Sequence, residues 1–282
     1  MPFKQYVRAE IAAGLDETYQ FETWAGDMPG EAYFDVHVSV IERRETCVPL
    51  LRHWLPGRGL RILESGCGSG RWLAFFERLG HRPVGVDDSR GPLAVARRHA
   101  PRLALVRGDA VTAPFRTASF DVVFSSYVAE HFEDGPDALL REARRLLVPG
   151  GVLLLIVPYA SPFRRLVTHP VLQAFYAWAR WRGRPLAFTE HRFSRAEVTA
   201  ALAGAGFALE ATAPDDFHPP WGKGLSLDLG PLVRPAGAPL GTWELNRFGR
   251  LLARGLGALS PWSACAGILC VARAPGNGRR AD

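Results

Sequence analysis

Three carboxylates and a run of glycines mark where this chain could do chemistry. Glu64 ends a short apolar segment in "RILESGCGSGRW" (61–72), and Gly66, Gly68 and Gly70 follow it at alternate positions. Asp87 ends the next apolar segment, "RPVGVD" (82–87), and Asp109 follows the third, in "LALVRGDA" (103–110). Glycine lets a backbone approach a ligand closely and adopt dihedrals that a Cβ forbids. A carboxylate at Asp87 can accept both hydroxyl protons of a ribose. Asp109 and the Ala110 backbone offer a pair for the exocyclic amine and ring nitrogen of adenine. A dinucleotide loop needs G-x-G-x-x-G, with the pyrophosphate resting on a helix N-terminus. Here the spacing is G-x-G-x-G, and Arg71 stands where the last glycine would be. The loop therefore favours a ligand lacking that pyrophosphate. Each acid also has a plainer reading: a helix N-cap near Asp87, to which Asp88 or Ser89 is as well suited, and a turn residue for Asp109. Taken together, those readings require three carboxylates to coincide at neighbouring strand ends.

The elements that must position these residues are legible in the apolar pattern. "LRILE" (60–64), "RPVGVD", "LALVRGDA", "FDVVFSS" (120–126) and "VLLLIVP" (152–158) read as strands. Between them "RWLAFFERLG" (71–80), "GPLAVARRHA" (91–100) and "PDALLREARRLLVPGG" (136–151) read as amphipathic helices. Continuous apolar strands interleaved with such helices predict an α/β fold: a Rossmann-like, mostly parallel sheet with helices on both faces. "FALEATA" (207–213) and "CAGILCVARA" (265–274) read as a closing antiparallel pair. In such sheets ligands bind beyond the carboxyl ends of the strands, which is where Glu64, Asp87, Asp109, Ser125 and Ser126 fall. "SRAEVTAALAGAGF" (194–207) reads as a helix with Ser194 as N-cap and Glu197 at the capping-box position. The expected organisation is a helical N-terminal extension (1–58), then a main domain (59–274). That domain carries a cap insertion (159–193) and a Pro/Gly-rich insertion (214–262), and a disordered tail (275–282) follows it.

Composition narrows the function classes. The 282 residues are 48% hydrophobic and 22% charged, an ordinary globular balance. The longest apolar run falls far short of the roughly 20 residues of a membrane span. The first residues lack the apolar segment of a secretory signal, so a cytoplasmic location is expected. The four cysteines have no metal-ligand spacing, and no metal is expected. A net charge of +6 would suit an anionic partner, but the arginines come as scattered pairs. Nucleic acid is therefore disfavoured and a small-molecule partner preferred; oligomeric state is not legible.

"ILESGCGSGRW", "VGVDDS", "RGDA…PF…SFDVVFSSYVAEHF" and "LLVPGGVLLLIVP" resemble the successive motifs of a class I S-adenosylmethionine-dependent methyltransferase. The likeness is closer to the broad type-11 domain that includes quinone-biosynthesis methyltransferases. It covers about 60–160 and continues through "EHRFSRAEVTAALAGAGF". The resemblance implies S-adenosylmethionine as cofactor, held by Glu64, Gly66, Cys67, Gly68, Gly70, Asp87, Asp88, Asp109, Ala110, Ser125 and Ser126. Glu64 would orient the amino end of the methionine moiety, Asp87 the ribose, and Asp109 with Ala110 the adenine. Candidate catalytic residues are His131 and Glu130, just beyond the fourth strand. Some metal-dependent relatives carry an extra Glu three residues before this pair; here that residue is Tyr127. Tyr127, His131, His191, Phe175 and Trp178 are the substrate-side candidates. The last two lie in "PFRRLVTHPVLQAFYAWARWRGRP" (162–185), which reads either as a packed helix or as a lid over an apolar or amphipathic substrate. That lid could lie against a membrane surface. Other readings stay open: an RNA or protein methyltransferase, or a non-catalytic S-adenosylmethionine-binding regulatory protein. An NAD-dependent oxidoreductase ranks below them for want of the dinucleotide glycine.

Overall fold

Residues 2–8, 38–238 and 243–276 are described by a computed structural model. Their strands are β1 (Phe3–Arg8), β2 (Arg61–Ser65), β3 (Arg82–Asp87), β4 (Ala104–Arg107), β5 (Phe120–Ser126), β6 (Leu147–Pro158), β7 (Leu186–Arg192), β8 (Ala208–Asp215) and β9 (Gly267–Arg273). The main sheet has the order β4-β3-β2-β5-β6-β9-β8. Strands β2 to β6 pair in parallel, and β9 joins both β6 and β8 antiparallel. The α/β expectation, closing pair included, is met.

The reason lies in the strand sequences. Neighbouring residues on a strand point to opposite faces, and here both faces are apolar. Ile62, Val122, Phe124 and Ile156 pack with Trp72, Phe75 and Phe76 of α2 (Arg71–Arg78), and with Val48 and Leu51 of α1 (Val48–Trp54). Leu63, Val123, Leu153 and Leu155 pack on the other face with α4 (Asp137–Leu146) and α6 (Arg195–Gly204). Helix α3 (Arg90–His99) links β3 to β4 and packs Leu93 and Val95 with Leu73 of α2 and Leu103. The capping box of α6 forms as expected: Glu197 N–H donates to Ser194 Oγ (3.3 Å), and Ser194 N–H donates to Glu197 Oε2 (2.9 Å).

Three expectations need correction. The N-terminal extension is not wholly helical: residues 38–44 and α1 are helical, but Phe3–Arg8 is a strand that pairs antiparallel with β7, from Phe3↔Arg192 to Arg8↔Leu186. Tyr176 Oη anchors it by accepting from the Tyr6 amide at 3.1 Å. Residues 9–37 of that extension lie outside the described residues, as do 277–282 of the expected tail. Second, β6 begins at Leu147, within the segment expected to end a helix, because Pro149 cannot continue one and Gly150 turns the chain at φ +76°. Third, the cap insertion holds more than one helix: a wide, π-type helical turn at Arg164–Thr168, then α5 (His169–Trp181), and also β7. The Pro/Gly-rich insertion adds α7 (Lys223–Leu229) and α8 (Arg247–Leu259). No described helix is long and apolar enough to cross a membrane.

Candidate functional site

The glycine loop leaves β2 and turns at once into α2. The amides of Gly66 and Cys67 both donate to Val86 O (2.8 and 3.0 Å), which locks the loop to β3. Gly66, Gly68 and Gly70 have φ of +78°, +48° and +79°, a region that side chains disfavour. A Cβ on Gly66 would also collide with Val128. Asp87 binds this loop to the next helix: Gly68 N–H donates to its Oδ2 (2.8 Å) and Ser89 N–H to its Oδ1 (2.9 Å). Ser89, one of the two suggested caps, precedes α3. Each carboxylate oxygen keeps a lone pair after these bonds, so Asp87 can still accept from a diol.

Glu64 is 2% exposed, and its Oε2 has no hydrogen-bond partner. Burial pushes its carboxyl well above the usual range; Arg71 pulls it back and Asp87 adds to the rise. A buried unpartnered acceptor is costly unless something meets it. The ammonium of an amino-acid moiety would do so. Ser125, at the end of β5, likewise has a buried hydroxyl without a partner. Asp109 is exposed and accepts from Val111 N–H at 2.9 Å, so its turn role is real, yet its other oxygen is free of that bond. Asp88 is exposed on the same rim and takes the Ser89 hydroxyl at 3.3 Å. The donor set thus fits S-adenosylmethionine: an acceptor for the ammonium, a carboxylate for the ribose, and an acid with a backbone edge for adenine.

The other half of the carboxyl edge is assembled from distant segments. His131 is exposed, and its Nδ1 lies 2.9 Å from Thr189 O. A carbonyl can only accept, so Nδ1 carries the proton and Nε2 is left basic. Glu130 is buried, and burial pushes its carboxyl far up, opposed by its backbone hydrogen bond and raised further by Glu190. His191 Nε2 donates to Glu133 O (3.1 Å), so His131 and His191 together clamp β7 over the segment that follows β5. Tyr127 stands at φ +56°, and its hydroxyl donates to Asp215 Oδ2 at 2.6 Å. A Cβ on Gly267 would collide with that hydroxyl, so glycine is needed there.

Sequence reasoning missed what surrounds Tyr127. Glu45, Cys47 and Asp215 bring ligand-type atoms within 4.8 Å of one another. Asp215 Oδ1 is unpartnered. Glu45 is pushed up to about 7 by burial, then by Asp215, while Arg71 (3.7 Å away) and Lys223 oppose the rise. Lys223 Nζ sits 3.7 Å from the Tyr127 ring centre. These two cations compensate the acids, so the trio carries no metal assignment. Asp216 accepts from the Lys223 and Gly224 amides and caps α7. Asp215 ends β8, so the same rule that picked out Asp87 would have found it had the strand been read two residues further. Nothing in the sequence placed Glu45 beside it.

Of the two readings of the cap, a packed helix or a lid, the packing is carried by Tyr176. Tyr176 turns inward against Tyr6, whereas Phe175 and Trp178, the substrate candidates, are 40% and 42% exposed on the outer face. Each helical residue advances by about 100°, so these aromatic residues, close in sequence, divide between two faces. Arg164 belongs to neither face. It is fully buried, with Nε donating to Asp228 Oδ1 (2.8 Å) and Nη1 to Tyr159 O, Cys265 O and Ala266 O (2.6, 3.1 and 3.0 Å).

Residues 63–155 match the family described as "Methyltransferase domain". The malonyl-(acyl-carrier protein) O-methyltransferase of Erwinia pyrifoliae is 32% identical over 173 residues, 59% of this chain and 61% of its own length. The ubiquinone biosynthesis O-methyltransferase of Azorhizobium caulinodans is 32% identical over 171 residues, covering 58% of this chain and 65% of its own. The chain therefore spans a little under two thirds of these two relatives. Among solved structures, an S-adenosylmethionine dependent methyltransferase from Mesorhizobium loti aligns with a TM-score of 0.51 at 21% identity, over 80% of this chain and 97% of its own. Likeness at that identity speaks for the fold.

Proposed function

We propose that this chain, whose residues 63–155 belong to the methyltransferase domain family, transfers a methyl group from S-adenosylmethionine to a small apolar or amphipathic molecule. The observation that carries this reading is the buried, unpartnered Glu64 Oε2 beside the glycine loop, with Asp87 one strand away. Two relatives are O-methyltransferases by name, which supports oxygen as the acceptor atom.

When bound, the cofactor supplies a methyl on a cationic sulfur, open to in-line displacement. The chain binds and aligns. Glu64 takes the amino end, Asp87 the ribose hydroxyls, and Asp109 with Ala110 the adenine, while Ser125 or Ser126 faces the methionine end. Gly66, Cys67, Gly68 and Gly70 pass beneath, and Asp88 completes the rim. Alignment and exclusion of water can supply ~7–11 kcal/mol of the acceleration. The β1–β7 pair, clamped by His131 and His191, shields the acceptor side. His131 Nε2 would take the proton of the acceptor's hydroxyl. Glu130 is buried, burial pushes its carboxyl up and its Oε2 has no partner, which leaves the proton-accepting role to His131. Tyr127 and His191 shape this side through their own hydrogen bonds. Phe175 and Trp178 face outward among exposed Leu166, Val171 and Trp181, which favours peripheral contact with a membrane that holds such a substrate. The described cysteines are unpaired and buried, in keeping with a cytoplasmic setting.

The test is transfer of labelled methyl to a panel of quinols, phenols and lipids. His131→Ala should lower kcat by about a hundredfold while leaving S-adenosylhomocysteine affinity unchanged. Label entering RNA or protein and no small molecule would favour the macromolecular alternative. Cofactor binding with no transfer to any acceptor would favour a regulatory protein.

A further inference from the structure

Away from the glycine loop, β1, α5, β7 and the start of α6 line a half-open cavity of about 530 Å³. That is within the usual size of a small-molecule pocket, roughly 300–1,000 Å³. Among the described residues no member of the glycine loop, and none of Glu64, Asp87 or Asp109, lines it. Its wall carries Lys4, Arg165, Arg180 and Arg192 against one carboxylate, Glu197. That carboxylate is already occupied by the amide and hydroxyl of Ser194, at 2.9 and 2.8 Å.

The four cations are unequal. Lys4 meets the exposed Glu133 at 3.4 Å, and Arg192 pairs with Glu190 at 2.8 Å while its Nε donates to Gln5 Oε1 at 2.7 Å. Arg165 and Arg180 have no carboxylate at ion-pair distance among the described residues. Arg192 is 7% exposed, so one charge of the wall is held out of water. His169 is also 7% exposed; its ring stacks on Phe3 at 3.7 Å and its Nε2 has no partner. Burial, then Arg192, Arg164 and Arg165, lower its pKa to about 4, so the imidazole is neutral. The wall thus has surplus positive charge, a buried imidazole nitrogen without a partner, and aromatic surface in Phe3 and Tyr176. Arginine forks match carboxylate and phosphate oxygens, and the aromatic surface suits an organic body.

We propose that this cavity binds a small organic oxyanion, a carboxylate or phosphate monoester on an aromatic or aliphatic body, at a site separate from the glycine loop. The oxygens lie among Arg165, Arg180 and Arg192, His169 donates through its Nε2–H tautomer, and the body rests on Phe3 and Tyr176. The site does not depend on methyl transfer.

Calorimetric titration of the full chain with phenyl phosphate, benzoate, inorganic phosphate and benzyl alcohol tests it. Phenyl phosphate or benzoate should bind with a submillimolar Kd, about tenfold or more tighter than inorganic phosphate or benzyl alcohol. The Arg165→Gln/Arg180→Gln double variant alters two exposed side chains and should melt like the parent. It should bind the organic anion about tenfold or more weakly, with S-adenosylhomocysteine affinity unchanged. Saturating phenyl phosphate should leave that affinity within about twofold. No saturable binding of either organic anion, equal binding by the double variant, or equal binding of benzyl alcohol would overturn the proposal. Inorganic phosphate binding as tightly as phenyl phosphate would overturn the organic body. Loss of S-adenosylhomocysteine binding by the parent would count against the methyltransferase reading and leave this result standing.

Discussion

The two halves of the sheet's carboxyl edge hold their polar groups in opposite ways. In the glycine-loop half the bonds are local: Asp87 reaches Gly68, 19 residues away, and Ser89, two away, and Asp109 reaches Val111, also two away. In the other half the partners are far apart in sequence. Tyr127 and Asp215 are separated by 88 residues, Arg164 and Asp228 by 64, and Gln5 and Arg192 by 187. The first half satisfies its loop amides with nearby carboxylate and carbonyl oxygens and leaves Glu64 Oε2 free for a ligand. The second ties its buried charges to distant partners, Arg164 to Asp228, Arg192 to Gln5 and Asp215 to Tyr127, so much of its chemistry is spent within the protein. A cofactor cradle can therefore form as soon as adjacent strands pair, whereas the acceptor side exists only once the insertions have closed.

If that contrast is right, damage to one half should spare the other. Arg164→Ala strands Asp228 and unties the Pro/Gly-rich insertion from β6 and β9. It should cost about 3–5 kcal/mol in urea unfolding and remove amide-exchange protection from α7 first. S-adenosylhomocysteine affinity should hold under native conditions; a parallel loss of affinity would mean the halves are coupled. The pH dependence sharpens the same point. Glu45 titrates near 7 in the fold against 4.5 when unfolded, so folding favours its protonated form. That contribution is fully present below pH 4.5 and is lost as pH rises through 7, up to about 3 kcal/mol. Glu45→Gln should flatten this part of the stability profile, and an unchanged slope would remove Glu45 from the cluster's energetics. The smallest effect is expected from Tyr127→Phe, which deletes the donor to Asp215 Oδ2. It should cost about 1–2 kcal/mol, measured by thermal unfolding, with cofactor affinity unaltered.

The same contrast explains what could be read in advance. Glu64, the three glycines and Asp87 follow apolar runs directly, and strand-end position is a local property. The apolar runs of the parallel strands and the α6 capping box are local for the same reason. Phe3–Arg8 gave no such signal, because its partner strand begins at Leu186 and the pairing depends on tertiary closure. Arg164 stood beside Arg165 as one of the scattered arginine pairs; only Asp228 and three carbonyls reveal it as a buried tie. Phe175, Tyr176 and Trp178 shared a pattern, but the sequence could not say which of them faces β1. Glu45 and Asp215 meet through a short bridge between Glu45 and Phe217, a contact that no periodicity encodes.

The most direct test of the cofactor cradle is calorimetric titration of S-adenosylhomocysteine into the parent protein and into Asp87→Ala. Micromolar binding by the parent, weakened about a hundredfold or more in the variant by the loss of two charge-assisted hydrogen bonds, is the expected result. A folded parent that does not bind, or a variant that binds equally well, would contradict the assignment of this edge to an adenosyl ligand.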